Sequence, residues 1–269
     1  MTRGRAADTM VPVSTLHLHR FGPEDAPVLL ALHGLTGHGA RWASLARELP
    51  DVRILAPDLR GHGRSTNLPP WDFETVVADL ADLLRGETDG PVVVTGHSFG
   101  GATAVHLSAR HPELVRALVL LDPAIAIDPA ALADIAQRNL DHPDYADRDE
   151  ARRDKLASAW HDVPAELLEI ELDEHLRPGP GGRVGWRLSL PAVTSYWGQL
   201  ARPFVLPPAG LPTVLVQAML VQPPFVTPAF RSALAEHLGS ALTVHEFDCD
   251  HMVPLARSTQ TAELIRGVL

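Results

Sequence analysis

The run Val92-Val93-Val94-Thr95-Gly96-His97-Ser98-Phe99-Gly100-Gly101 constrains the chain most, because a β-branched stretch passes through Gly-x-Ser-x-Gly directly into helix-forming residues. A strand that turns sharply into a helix crowds backbone on both sides of the turning residue. Glycine is therefore needed where a side chain would collide, at Gly96 and Gly100. The residue at the apex, Ser98, is a candidate nucleophile. The amide that follows it, that of Phe99, falls at a helix N-terminus, where unpaired N–H groups and the helix dipole can stabilise an oxyanion.

The same strand-then-helix rhythm runs through the first half. Val28 to Leu32, Val52 to Ala56, Val92 to Thr95 and Ala117 to Leu121 read as short strands, and Ala40 to Leu49, Phe73 to Leu84 and Phe99 to Arg110 as the helices between them. Such alternation predicts an α/β fold with a mostly parallel central sheet flanked by helices. The apolar runs end at Gly, Pro or Asp, as strands buried on both faces do. From Pro123 to Pro203 the strand rhythm stops and helical patterns take over: Asp128-Pro129 reads as an N-cap with proline at the first helical position, and Leu168 and Leu172 align after Pro164. Pro178-Gly179-Pro180-Gly181-Gly182 interrupts that pattern, either as a hinge or as a linker between helices. So long an excursion needs structure of its own, which predicts an inserted helical cap over 123–203 on a core made of 1–122 and 204–269. The sheet resumes at Thr213 to Gln217 and Leu242 to Phe247.

Charge and composition exclude several classes. A formal charge of −10 without a long basic run argues against a nucleic-acid partner. No apolar stretch reaches the length of a membrane span, and Met1 to Val11 lacks the apolar centre of a secretory signal, so the expected location is the cytoplasm. Cys249 is the only cysteine, which leaves no intrachain disulfide and suits a reducing compartment. The spacings of His33, His38, His62 and His97 match no metal-ligand motif; neither metal nor cofactor is expected.

Parallel strands deliver their carboxyl ends to one rim, where ligands bind. After Val28 to Leu32 comes His33-Gly34-Leu35-Thr36-Gly37, whose glycines let backbone approach a substrate oxygen; the Leu35 amide is the expected second oxyanion donor beside Phe99. After Leu242 to Phe247 comes Asp248-Cys249-Asp250-His251, which makes His251 a candidate general base. His33 is expected to order its loop rather than move protons. His97 either lines the pocket or is a satisfied buried histidine, and the Asp58 to Ser65 run reads as a hydrogen-bonded loop beneath the site. Trp160, Trp186, Tyr196 and Trp197, with Leu167, Leu168 and Ile170, supply large apolar surface within 123–203; most of it is expected in the cap's own packing and some in roofing the site, with Trp160, Trp186 and Trp197 the candidates for binding substrate.

Taken in order, Leu32-His33-Gly34, Asp58-Leu59-Arg60-Gly61-His62-Gly63-Arg64-Ser65, Gly96-His97-Ser98-Phe99-Gly100-Gly101 and Asp250-His251 resemble the α/β-hydrolase superfamily from about Leu16 to the C-terminus. The resemblance implies that Ser98 attacks a carbonyl, His251 takes and returns the proton, and the Leu35 and Phe99 amides hold the oxyanion. It also exposes a departure. The family's acidic triad member usually follows the strand matched here by Thr213 to Gln217, but Ala218 to Pro228 contains no carboxylate. Some members take the acid from the strand after the nucleophile helix, which points to Asp122; Asp250, Asp248 or no acid at all are the alternatives.

Two functions remain open at this level. One is a cofactor-independent serine hydrolase that cleaves a small-molecule carboxylic ester, lactone or thioester through an acyl-enzyme. The other is a binding or sensing protein that keeps the fold with little turnover, which the missing acid favours. Carbon–carbon bond hydrolysis and acyl transfer also occur in the superfamily. Oligomeric state has no signature in the sequence.

Overall fold

Seven strands form one sheet in the order β1 (Leu18–Phe21), β3 (Arg53–Pro57), β2 (Val28–Leu32), β4 (Val92–His97), β5 (Val115–Leu121), β8 (Thr213–Ala218), β9 (Leu242–Phe247). All neighbours are parallel except β1, which runs antiparallel to β3 at the edge. The computed structural model describes residues 16–269, so the Met1 to Val11 segment read above for a signal lies outside the described residues.

Side-chain alternation along the strands divides the core into two layers. Leu30, Leu32, Val94, Leu118 and Leu120 face the layer that contains α2 (Phe73–Glu87), α3 (Phe99–Arg110) and α8 (Pro228–Leu238). Leu29, Ala31, Val93, Val119 and Leu121 face α1 (Ala43–Glu48) and α10 (Ser258–Arg266) through Leu45 and Ile265. Each such leucine contributes about 1.5–3 kcal/mol by burial. Because β4 is buried along its whole length and central, both of its faces must be apolar, which is why its sequence is a continuous run rather than an alternation.

Between β5 and β8 lie α4 (Pro129–Asp141), α5 (Arg148–Leu156), α6 (Ala165–His175) and α7 (Leu190–Leu200). Asp128 caps α4 as its sequence suggests, accepting from the Ala130 and Ala131 amides at 3.0 Å each. Two strands, however, interrupt this helical stretch: β6 (Leu176–Pro178) and β7 (Val184–Trp186) pair antiparallel. The Pro178 to Gly182 break is the turn of that ribbon, not a linker between helices, with Gly181 and Gly182 at φ of 66° and 77°. A three-residue strand carries too little alternation to be legible in a sequence. Packing ties the segment to the rest: Tyr196 of α7 lies in the layer of Phe99, and Trp160, Leu168 and Leu172 cluster with Met252 and Leu255 beyond β9. A short helix, α9 (Val253–Ala256), follows that last strand.

The strand order reverses between β2 and β4, and at this switch point the loops after adjacent strands part and leave a crevice. Register aligns Leu32 with Gly96 and His97 with Leu121. The residues that follow therefore emerge side by side on one rim.

Candidate active site

Ser98 stands between β4 and α3 with φ 55° and ψ −118°, a conformation that costs a non-glycine residue roughly 1–3 kcal/mol. Its surroundings hold it there: the Ser98 amide donates to the Leu121 carbonyl at 3.1 Å, and its own carbonyl accepts from the Gly101, Ala102 and Ala124 amides. The flanking glycines have the steric role expected of them. A Cβ on Gly96 would lie 2.3 Å from the Gly100 carbonyl oxygen, and one on Gly100 2.3 Å from that of Leu32.

Asp122 emerges from the adjacent strand β5, also with a positive φ of 44°, and is fully buried. Its amide donates to the Val216 carbonyl at 2.7 Å, its Oδ1 accepts from the Ala218 amide at 3.1 Å, and its Oδ2 lies 2.6 Å from His251 Nδ1. The end of β8, which carries no carboxylate, thus contributes a backbone donor that orients one. Nδ1–H is directed to Asp122, so Nε2 is the ring nitrogen left to act as a base toward the cavity that His251 and Ser98 both line. Asp250 turns elsewhere: its Oδ1 accepts the His251 amide, and its Oδ2 faces His161 at 3.4 Å.

The loop after β2 packs against this turn. A Cβ on Gly34 would stand 3.2 Å from the Ser98 Cβ and 2.8 Å from His97 Nδ1, so only glycine permits the approach. Leu35 lines the cavity next to Thr36, another non-glycine residue at positive φ. Phe99 begins α3, where an amide has no helical carbonyl behind it.

Histidines around the site are neutral props. His33 accepts the Leu59 amide on Nε2 at 2.9 Å and donates from Nδ1 to the Gly34 carbonyl at 2.8 Å, which fixes the loop; burial, reinforced by His62, holds its pKa well below 6.5. His97 donates from Nε2 to the His251 carbonyl at 2.7 Å and also lines the cavity. Burial and then the neighbouring His251 hold it well below 6.5. The Asp58 to Ser65 loop is hydrogen-bonded throughout: Asp58 accepts from the Gly39 and Arg64 amides at 2.7 and 2.8 Å, and Arg60 makes a fork to Asp79. His17, His19 and Asp58 offer ligand atoms within 4.8 Å of one another, but the Asp58 oxygens already serve those two amides and His19.

The cavity holds about 250 Å³, and Trp160, Trp186 and Trp197 all line it together with Leu35, Ser98 and His251. Three contributors had no signal in the sequence. The Phe225 ring lies tilted against that of His251, with 4.3 Å between ring centres, and Arg41 and Lys155 bring charge to the wall. Lys155 lies in Arg148–Leu156, a run so charged that it reads as a solvated helix; only the four-residue spacing from buried Ala151 hints at an inner face.

Residues 27–159 match the model of the alpha/beta hydrolase fold family. Lipase LipV of Mycobacterium tuberculosis is 49% identical over 254 residues, covering 94% of this chain and 97% of that protein. The chain belongs to the α/β-hydrolase family. It is an ester-cleaving hydrolase of that family. Solved α/β-hydrolase folds superpose on nearly the whole chain. The crystal structure of E-2-(acetamidomethylene)succinate hydrolase matches with a TM-score of 0.79 at 24% identity, covering 95% of each chain. The enol-lactonase from Burkholderia xenovorans LB400 matches with a TM-score of 0.73 at 20% identity, covering 94% of this chain and 95% of the other. No helix among the described residues is long and apolar enough to cross a membrane.

Proposed function

We propose that this α/β-hydrolase cleaves small-molecule carboxylic esters through an acyl-enzyme on Ser98, with His251 as general base and acid, Asp122 as its orienting carboxylate, and the Leu35 and Phe99 amides as the oxyanion hole. Asp122 Oδ2 at 2.6 Å from His251 Nδ1, in the cavity of a Ser98 held at positive φ, is the observation that carries this reading.

His251 Nε2 takes the Ser98 hydroxyl proton as Oγ attacks the carbonyl carbon. The charge that develops on the carbonyl oxygen falls to two backbone donors and the N-terminus of α3, an arrangement in which one donor is worth about 10²–10³ in rate. Collapse expels the alcohol, which leaves with the proton from His251; water deprotonated by the same nitrogen then releases the acid and restores Ser98. A lactone or thioester would follow the same steps. Residues 123–203 act as a cap on the core of 1–122 and 204–269, and its Trp160, Trp186 and Trp197 bind substrate from above and exclude water. A cytoplasmic location goes with this reading, supported by the buried Cys249 thiol that suits a reducing compartment.

A binding protein with little turnover drew its support from the missing carboxylate after Gln217, and Asp122 in contact with His251 removes that support. The deciding experiment is labelling by a fluorophosphonate probe together with 4-nitrophenyl ester hydrolysis. Wild type should label and turn over, and Ser98→Ala should do neither, with turnover down by about 10⁴-fold or more. A Ser98→Ala protein that hydrolyses esters at the wild-type rate would overturn the assignment.

A further inference from the structure

The acyl-transfer steps leave one part of the cavity wall unexplained. Lys155 lines that wall although it is only 7% exposed, and its Nζ stands 4.7 Å from the Trp160 ring centre and 4.4 Å from that of Trp186. Its ion-pair partner, Glu171 of α6, is 3.7 Å away and already engaged. Arg41 clamps Glu171 through Nε and Nη2 at 2.9 and 2.5 Å, and His38 Nε2 adds a contact at 2.9 Å.

A buried ion must be paired and hydrogen-bonded to repay its lost hydration. Here two cations, Arg41 and Lys155, share one buried carboxylate, and the carboxylate is closer to Arg41. Glu171 can balance only one of them, so the pair carries one net positive charge beside the cavity of Ser98, on the side of Lys155, whose Nζ is 3.7 Å from the shared carboxylate. Asp154 lines the same cavity, but it is exposed and its Oδ2 accepts the Tyr145 hydroxyl at 2.7 Å, so water screens its charge as it does not screen that of Lys155. Burial, opposed by Glu171, lowers Lys155 to about 8, which leaves the ammonium charged at neutral pH. A lysine needed only to neutralise Glu171 would be redundant, since Arg41 does that with better geometry.

We infer that this wall is an anion subsite and that the substrates are esters bearing a carboxylate, bound by Lys155 with the intervening chain packed on Trp160 and Trp186. The inference rests on the Ser98 reading for its chemistry, but not for its binding. A single uncompensated charge matches a monoanion, which favours a carboxylate over a phosphate dianion. The carboxylate can belong to the acyl part or to the alcohol part of the ester, and both place the same group on Lys155.

Two substrate pairs separate these sources: mono-4-nitrophenyl glutarate against its methyl ester, and 4-acetoxybenzoate against its methyl ester. The quantity to measure is kcat/KM of the charged over the neutral member, in wild type and in Lys155→Met, so that intrinsic reactivity cancels. In at least one pair the wild-type ratio should exceed that of Lys155→Met by about 10- to 100-fold, as expected for a hydrogen bond between charged groups, while Lys155→Arg should keep most of it. Equal ratios in wild type and Lys155→Met for both pairs, meaning that charged and neutral esters lose alike, would overturn the subsite and leave Lys155 a structural residue. Should Lys155→Met fail to fold, inhibition of wild-type 4-nitrophenyl acetate hydrolysis by glutarate against glutaramide decides, and equal inhibition counts against the proposal. If no ester is turned over and Ser98 does not label, the acyl-enzyme reading has failed. Calorimetric binding of glutarate, present in wild type and lost in Lys155→Met, then still tests the subsite alone, and absence of binding overturns it.

Discussion

Asp122 is held from three directions, by the Val216 carbonyl, the Ala218 amide and the His251 ring, whereas Asp250 bends back onto the amide of its neighbour. A carboxylate that fixes the tautomer of a catalytic histidine is worth about 10⁴ in turnover. Asp122→Asn is therefore expected to lower kcat on 4-nitrophenyl acetate by about that factor and Asp250→Asn by only a few-fold; the reverse ranking would exclude Asp122 as the orienting acid. The glycines can be ranked as sharply. An Ala at position 100 meets the Leu32 carbonyl oxygen at 2.3 Å, backbone that cannot give way, so Gly100→Ala should destabilise by about 1–3 kcal/mol or more in urea unfolding. Gly198, inside α7 with nothing within 4 Å, is the counter-case. Gly198→Ala should stabilise by about 0.5–1 kcal/mol, because a helix interior favours alanine. Of these residues, Gly96, Ser98 and Gly100 are legible in the sequence because their constraint is local and steric. Asp122 against Asp250 is not, because sequence adjacency says nothing about which carboxylate points at a ring nitrogen.

At the scale of elements, Glu171 fastens α6 to the loop that follows β2. Burial favours its protonated form, but Arg41, Lys155 and His38 outweigh that and hold its carboxyl well below the usual range. Replacing one member of a buried charge network leaves the others unpaired, so Glu171→Gln is expected to cost about 3–5 kcal/mol and to speed amide exchange in α5 and α6. Glu169, two residues earlier on the same helix, binds Arg148 and Arg152 at the surface. Exposed pairs of this kind are worth about 0–1 kcal/mol, so Glu169→Gln should be nearly silent. Equal losses from the two variants in urea titrations would show that burial is not what distinguishes them. Strands and long helices of the core were readable because each repeats its period several times. The β6–β7 ribbon was not, since Leu176–Pro178 and Val184–Trp186 show barely one period each.

Across the whole molecule, buried histidines make the fold sensitive to acid. Burial lowers His62 to about 4, only partly offset by its hydrogen bond to the Arg60 carbonyl, and burial together with Arg202 and Arg110 lowers His106 to about 4. Each binds its proton more weakly folded than unfolded, where the ordinary value of 6.5 applies. Their stabilisation is complete above that value and is lost as pH falls toward the folded value. For fully buried His62 the difference is about 3 kcal/mol. The urea midpoint should hold steady between about pH 7 and 8 and decline between about pH 6.5 and 4. A midpoint unchanged over that window would mean that these rings are protonated in the folded protein.

Periodicity, glycine sterics and strand ends act over a few residues, so the α/β architecture, the apex serine and the rim on which Leu35 and His251 emerge can be read from the chain alone. Which carboxylate meets His251 depends on long-range pairing: Asp122 is 129 residues away and reaches it through the pairing of β5 with β8 and β8 with β9. The charge of Lys155 is likewise a matter of tertiary structure. In Arg148–Leu156 it is one cation among several, and only the packing of α5 against Trp160, Trp186 and Glu171 removes it from water and gives it a counter-ion to seek. Local sterics are written along the chain, whereas desolvation and charge balance depend on every neighbour that folding brings together.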